Sequence, residues 1–384
     1  MNLLIDAVFF QLASSGIARV WKSILSHVAQ DRRINLFILD RGNAPVIKDS
    51  TVIPFPTYDL SKNTAADSIL IQNICDHYNI DVFSSTYYTT PLRTPSVLVV
   101  YDMIPELLEF DLSFRDWKEK KNAINYSQYQ ISISESTRRN LHQFYPGLDK
   151  SKSSFAHLAI DNSIFTQAAA GNVKVFCERY GLSRPYFLFV GSRQQHNNYK
   201  NARIFFKAIE EYEKFDFEVV CVGGEKTFDE DVIKLQAKGL EVQRLDLGDD
   251  ELAAAYAGAI ALIYPSLYEG FGLPVLEAMA SGCPVITTQR GSLGEVAGNA
   301  ALFVDGLDAQ EMRDALKEVG DIEQRRVYVT RGLENVQRFS WSSFADHFID
   351  VVHRLDEEAR GGAYREFSER WAELRMMQAD VDYH

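Results

Sequence analysis

Short apolar runs alternate with amphipathic stretches along most of the chain. Leu3–Phe10 reads as a first strand, and Gly16-Ile-Ala-Arg19 opens an amphipathic helix to about Ala29. Ile34–Leu39, Asp81–Ser85, Ser96–Val100 and Gln130–Ser134 have the length and apolar content of strands. Asp67–Tyr78, Arg115–Tyr126 and Glu135–Gln143 carry apolar residues at helical spacing. The polar, irregular stretch Asp149–Gly171 reads as a linker.

The pattern then starts again. Pro185–Val190 and Phe217–Val222 read as strands, the second ending at Gly223-Gly224, with a helix over Asn201–Phe215 between them. Asp250–Ala257 predicts a helix, Ile260–Tyr264 a strand, Leu273–Ser281 a helix and Pro284–Thr287 a strand. A long helix over Phe344–Arg360 and an amphipathic tail to His384 close the chain. Repeated strand–helix units in both halves predict an α/β protein with two doubly wound, Rossmann-like domains facing a cleft. The expected limits are 1–165 and 172–340, with helices over 341–384 packing back on the first domain or supporting dimerisation.

A length of 384 residues fits two ordinary cores better than one. With 46% hydrophobic and 24% charged residues the composition is that of a globular protein. No apolar run reaches bilayer-spanning length, and Met1–Asp6 lacks the basic region and cleavage site of a signal peptide, so a cytoplasmic location is expected. Cys75, Cys177, Cys221 and Cys283 are far apart and match no metal spacing, and the histidines form no ligand cluster. Neither a metal nor a cofactor is therefore expected. A net charge of −13 argues against nucleic-acid binding. Residues 1–165 hold 16 basic and 17 acidic side chains, against 24 and 36 in the remainder. Arg115, Lys118, Lys120, Lys121, Arg138 and Arg139 then form either a solvated helix face or a patch for peripheral attachment to an anionic membrane.

The most informative stretch is Glu269-Gly-Phe-Gly-Leu-Pro-Val-Leu-Glu277. Glu269 follows a strand, and Gly270 and Gly272 leave amides uncovered from Gly270 through Phe271 to Leu273. Pro274 suits the first turn of a helix, and Glu277 is expected within that turn beside free amides and the positive end of the dipole. Such a set can hold a polyol on one carboxylate and a ribose on the other. A second constellation, Val190-Gly191-Ser192-Arg193 followed by Lys200-Asn201, puts two cations seven residues apart after a strand. They are either ordinary surface cations or the groups that stabilise a departing diphosphate.

These motifs, extended by Cys283-Pro-Val-Ile286 and Gly294-Glu295-Val296-Ala297-Gly298, resemble those of retaining glycosyltransferases of family 4, which have the two-Rossmann GT-B fold. The resemblance covers nearly the whole chain, is weakest in the N-terminal acceptor-side loops and stops near residue 356. It implies that Arg193 and Lys200 bind the diphosphate of a nucleotide-sugar donor, and it gives Gly16 a place near a phosphate or the acceptor. Simple punctuation before a helix explains Gly16 equally. Many relatives have His-Asp where this chain has Tyr101-Asp102, and a phenol cannot replace an imidazole base near neutral pH. Asp102 is then either a catalytic or acceptor-positioning group or a helix cap. Glu295 either approaches the nucleotide or caps its helix.

The expected activity is metal-independent, retaining transfer of a hexosyl unit to a glycan or lipid-linked acceptor in surface-polysaccharide or lipopolysaccharide assembly. GDP-mannose is the leading donor. UDP-glucose, UDP-N-acetylglucosamine and dTDP-rhamnose remain open. A non-catalytic nucleotide-sugar-binding scaffold, a sugar-nucleotide epimerase or a phosphorylase on the same fold are the competing readings.

Overall fold

The computed structural model describes all residues except 14–15, 60–64, 168–169, 194–198 and 383–384. The chain divides into two compact units, Met1–Leu158 with Trp341–His384, and Ala159–Ser340.

In the first unit seven parallel strands form one sheet: β1 (Asn2–Asp6), β2 (Asn35–Asp40), β3 (Ser50–Pro54), β4 (Val82–Ser85), β5 (Ser96–Val100), β6 (Tyr129–Ser132) and β7 (Ser153–Phe155). Their order is β3-β2-β1-β4-β5-β6-β7, so the direction of winding reverses between β1 and β4. β4, β5 and β6 are buried at every position, as expected for parallel strands covered on both faces. Helix Trp341–Arg360 packs on helix Gly16–Val28, where Trp21 and Phe348 meet edge-on with centroids 5.7 Å apart. Helix Arg365–Asp382 packs on Ala65–His77, and its buried Arg375 reaches Glu119 at 2.7 Å.

The second unit repeats the plan with β8 (Tyr186–Val190), β9 (Glu218–Val222), β10 (Val242–Leu245), β11 (Leu262–Tyr264), β12 (Val285–Thr287) and β13 (Leu302–Phe303). The order is β10-β9-β8-β11-β12-β13, all parallel, with its reversal between β8 and β11. Phe187, Phe189, Phe205, Phe206 and Phe217 are buried in one cluster between this sheet and helix Ala202–Ile209. No helix among the described residues is long and apolar enough to cross a membrane.

Several local expectations are corrected. The first strand ends at Asp6 rather than Phe10, because the chain turns there into a short helix, Val8–Leu12, and the Phe9 amide donates to Thr86 Oγ1 at 2.9 Å. Gly16 therefore opens the second helix, not the junction of first strand and first helix. The stretch read as a linker contributes β7, paired to β6, as the last strand of the first sheet. The edge strands β3 and β10 had gone unrecognised. Ser50–Pro54 is mostly exposed and Val242–Leu245 has one fully buried position, so neither shows the apolar run of a central strand.

Candidate active site

The chemistry concentrates where β8 and β11 part, the place at which open α/β sheets bind ligands beyond their carboxyl ends. Lys200 follows β8 and Glu269 follows β11. The Lys200 ammonium donates to Glu269 Oε1 at 2.7 Å and to the Tyr264 hydroxyl at 2.5 Å. It also lies 4.7 Å from the centre of the Tyr264 ring and 5.3 Å from that of Tyr199. The side chains of Lys200 and Glu269 keep 17% and 9% of their exposure, so the pair is sheltered but reachable. Gly191, which follows β8 at φ +121°, lies beside the Lys200 stem: a Cβ there would meet its Cε at 3.4 Å, an ordinary contact.

The loop carrying Glu269 is fixed from several sides. Thr287 Oγ1 donates to the Tyr264 carbonyl at 2.7 Å and Thr288 Oγ1 to that of Ser266 at 2.6 Å. Asn201, in the left-handed region before its helix, donates through Nδ2 to the carbonyls of Pro265 and Gly306. Ser292 Oγ lies within hydrogen-bond reach of two carbonyls, Glu269 at 3.0 Å and Phe271 at 2.8 Å, while its amide donates to Glu269 at 3.2 Å. Two glycines are obligatory for this closeness. Gly272 sits at φ +97°, and a Cβ on it would strike Leu293 Cδ2 at 2.8 Å. A Cβ on Gly291, at φ +59°, would come within 2.9 Å of the Glu269 backbone. Phe271 itself is buried and packs edge-on against Phe339.

Lys200 and Glu269 are thus in direct contact, whereas Arg193 and Glu277 are anchored on other partners. Arg193 is buried and bonds the carbonyls of Gly223, at 3.0 Å, and Glu225 beyond β9. Its amide and Ser192 Oγ both donate to the Glu225 carboxylate. Burial pulls the Glu225 carboxyl upward, but those bonds and the nearby guanidinium outweigh it and hold its pKa below the usual range. The part of the intervening loop at residues 194–198 lies outside the described residues. Glu277 is the fifth residue of helix Leu273–Ala280, not a member of its first turn as expected, because Gly272 caps the helix and Pro274 falls at its second position. Its Oε2 accepts from the buried Tyr256 hydroxyl at 3.1 Å. Glu295 lies half-buried in the short helix Leu293–Ala297, which Ser292 joins to the Glu269 loop.

The remaining candidates belong to the first unit. Asp102 Oδ1 accepts from the Ile104 amide at 2.9 Å, a local contact from the residue before Met103, which holds the N-cap position of helix Ile104–Leu107. Tyr101 is buried, and burial pushes its hydroxyl far above the ordinary phenol range. Gly16 is half-buried at the start of its helix. Tyr264, Ser292 and Asn201 had escaped the sequence reading. Their signal is weak, a polar residue ending an apolar strand and polar residues flanking a helix, and only the tertiary contacts give it meaning.

Comparison with known proteins places this architecture. Over 92% of this chain and 99% of the other, it superimposes on sucrose-phosphate synthase from Thermosynechococcus elongatus with a TM-score of 0.72 at 16% identity. The fold is GT-B, two Rossmann-like sheets with flanking helices. Residues 184–321 match the family described as Glycosyl transferases group 1. It is similar to O-antigen chain mannosyltransferase B of Escherichia coli, 30% identical over 185 residues that span 46% of this chain and 48% of that protein. It is also similar to O-antigen chain mannosyltransferase RfbU of Salmonella typhimurium, 26% identical over 272 residues, 69% of this chain and 71% of that one. The chain thus matches about half the length of the first relative.

Proposed function

We propose that this protein is a retaining, metal-independent glycosyltransferase that moves a mannosyl unit from GDP-mannose to a hydroxyl of a glycan or lipid-linked acceptor in lipopolysaccharide or related polysaccharide assembly, at the cytoplasmic face of a membrane. The observation that carries the reading is the Lys200–Glu269 pair, sheltered but reachable at the strand reversal of the unit that matches the glycosyl transferases group 1 family. The names of the two O-antigen mannosyltransferases support mannose over other hexoses.

In this mechanism Lys200 neutralises charge that grows on the departing diphosphate, an interaction stronger in the transition state than in the ground state. Glu269 and the amides of Gly270–Leu273 hold sugar hydroxyls. Glu277 takes the ribose, and Glu295 borders the nucleotide. Arg193 has N–H donors beyond the two that bond the Gly223 and Glu225 carbonyls, and these take the diphosphate oxygens. In the first unit Asp102, together with Tyr101 and Gly16, positions the acceptor. On this reading Glu269 is engaged with sugar hydroxyls and no side chain attacks the anomeric carbon, so the leaving phosphate accepts the acceptor's proton, and attack falls on the face from which it departs.

The test is incubation with a panel of nucleotide sugars with and without a chelator. The reading expects GDP release fastest from GDP-mannose, unaffected by chelation, and an α-anomeric product by proton NMR. Binding without turnover points to a scaffold subunit, and an altered sugar still on its nucleotide to an epimerase. Inverted anomeric configuration removes the retaining mechanism.

A further inference from the structure

Tyr264 ends β11 with 1% of its surface exposed, and its carbonyl is tied to Thr287 of the neighbouring strand. A phenylalanine would fill the same space without burying a hydroxyl, so packing alone does not account for a phenol. That hydroxyl is 2.5 Å from Lys200 Nζ. Burial first, then the charge of Glu269 and a hydrogen bond to it, push the phenol well above its ordinary pKa, so it stays protonated and can donate to Glu269 while accepting from Lys200. An ammonium has three donors, and two are accounted for by Glu269 and Tyr264. Lys200 and Glu269 stand in loops, whereas Tyr264 stands on a central strand between β8 and β12.

We propose that Tyr264 is a positioning residue: its hydroxyl, held by the sheet, sets the Lys200 ammonium against Glu269 so that both heads face the donor in one geometry. This rests on the reading of that pair as the donor site. Without the hydroxyl the ion pair and the ring contact persist, but the ammonium loses one of its two fixed acceptors and swings. The donor is still captured, and the arrangement it needs at the transition state is reached less often.

The test substitutes Tyr264→Phe, which keeps the ring, and Tyr264→His, which keeps an acceptor. Lys200 reactivity is read by borohydride-trapped labelling with pyridoxal 5′-phosphate and peptide mass analysis, a measurement that needs no turnover. Loss of one hydrogen bond to the ammonium predicts labelling about 10-fold faster in Tyr264→Phe, returning toward wild type in Tyr264→His. In the donor assay Tyr264→Phe lowers kcat by about 10- to 100-fold with KM for the donor changed less than about 3-fold. Unchanged labelling in both folded variants overturns the proposal, and so does a raised KM with kcat intact. Should the wild type turn over no donor, the transferase reading fails, and the labelling ratio still decides the role of Tyr264.

Discussion

The two sheets share one strand order, and each gathers charge where that order reverses, but the charges end in opposite circumstances. In the first unit Asp6 ends β1, and Arg41 follows β2. Both side chains have 0% exposure. Asp6 takes Arg41 through both carboxylate oxygens and Thr89 Oγ1 at 2.7 Å. Arg41 also holds Asp67 at 2.8 Å and the Pro56 carbonyl, with its guanidinium 4.6 Å from the Phe55 ring centre. Every strong valence there has a partner within the chain. In the second unit the equivalent place carries a two-member pair with residual exposure, glycines beside it and a buried phenol behind it. The topology offers a location in both sheets. Only where polar valences stay reachable does the location become a place for a ligand.

The largest expected effect tests the closed side. Arg41→Ala would leave Asp6 and Asp67 as buried carboxylates without their cation, and breaking such a pair costs about 3–5 kcal/mol. Urea unfolding followed by circular dichroism should show that loss in the first unit. A change under about 1 kcal/mol would mean that solvent or another group already serves those carboxylates, and the contrast between the sheets would collapse.

The open side should behave in the reverse way. Lys200→Ala is expected to cost less stability than Arg41→Ala, because Glu269 is left without its cation but keeps some contact with solvent, which places the loss between the about 1 kcal/mol of an exposed pair and the about 3–5 kcal/mol of a fully buried one. Its turnover should fall about 10²- to 10³-fold, as for removal of an electrostatic donor from a transition state. Glu269→Ala should abolish transfer yet keep the thermal stabilisation that a nucleoside diphosphate gives by mass action. Loss of nucleotide affinity with transfer intact would reassign Glu269 away from the sugar.

The legible and illegible parts of this molecule divide along physical lines. Central strands such as Ser96–Val100 and Glu218–Val222 are visible because burial on both faces demands mostly apolar runs. Edge strands β3 and β10 are half-solvated and lack that mark. The Glu269 loop is readable because its glycines and Pro274 have backbone reasons that any sequence displays. The fate of Arg193 is not, since its partners are backbone carbonyls on the neighbouring strand's loop, and carbonyls have no residue signature. The helix start at Leu273 agrees with the sequence pattern, but Glu277 is its fifth residue and so falls just past the first turn to which it was assigned. Ser292 was invisible for the same reason as Arg193.

Ser292 also supplies the finest test of the contrast. Its hydroxyl is shared between the carbonyls of Glu269 and Phe271, but its amide bonds Glu269 independently, so Ser292→Ala removes one support and leaves another. The expected cost is about 0.5–1.5 kcal/mol, seen as faster amide hydrogen exchange confined to Gly270–Leu273 and a several-fold fall in turnover. Because the Ser292 hydroxyl bonds carbonyls of the Glu269 loop, whereas Lys200 is held by the Glu269 carboxylate and the Tyr264 hydroxyl, labelling of Lys200 should stay near the wild-type rate. If Ser292→Ala instead destabilises its unit by the about 3–5 kcal/mol expected of Arg41→Ala in the other, then the Glu269 loop is a closed structural network as well. Residual exposure would then no longer separate the sheet that binds from the sheet that only holds.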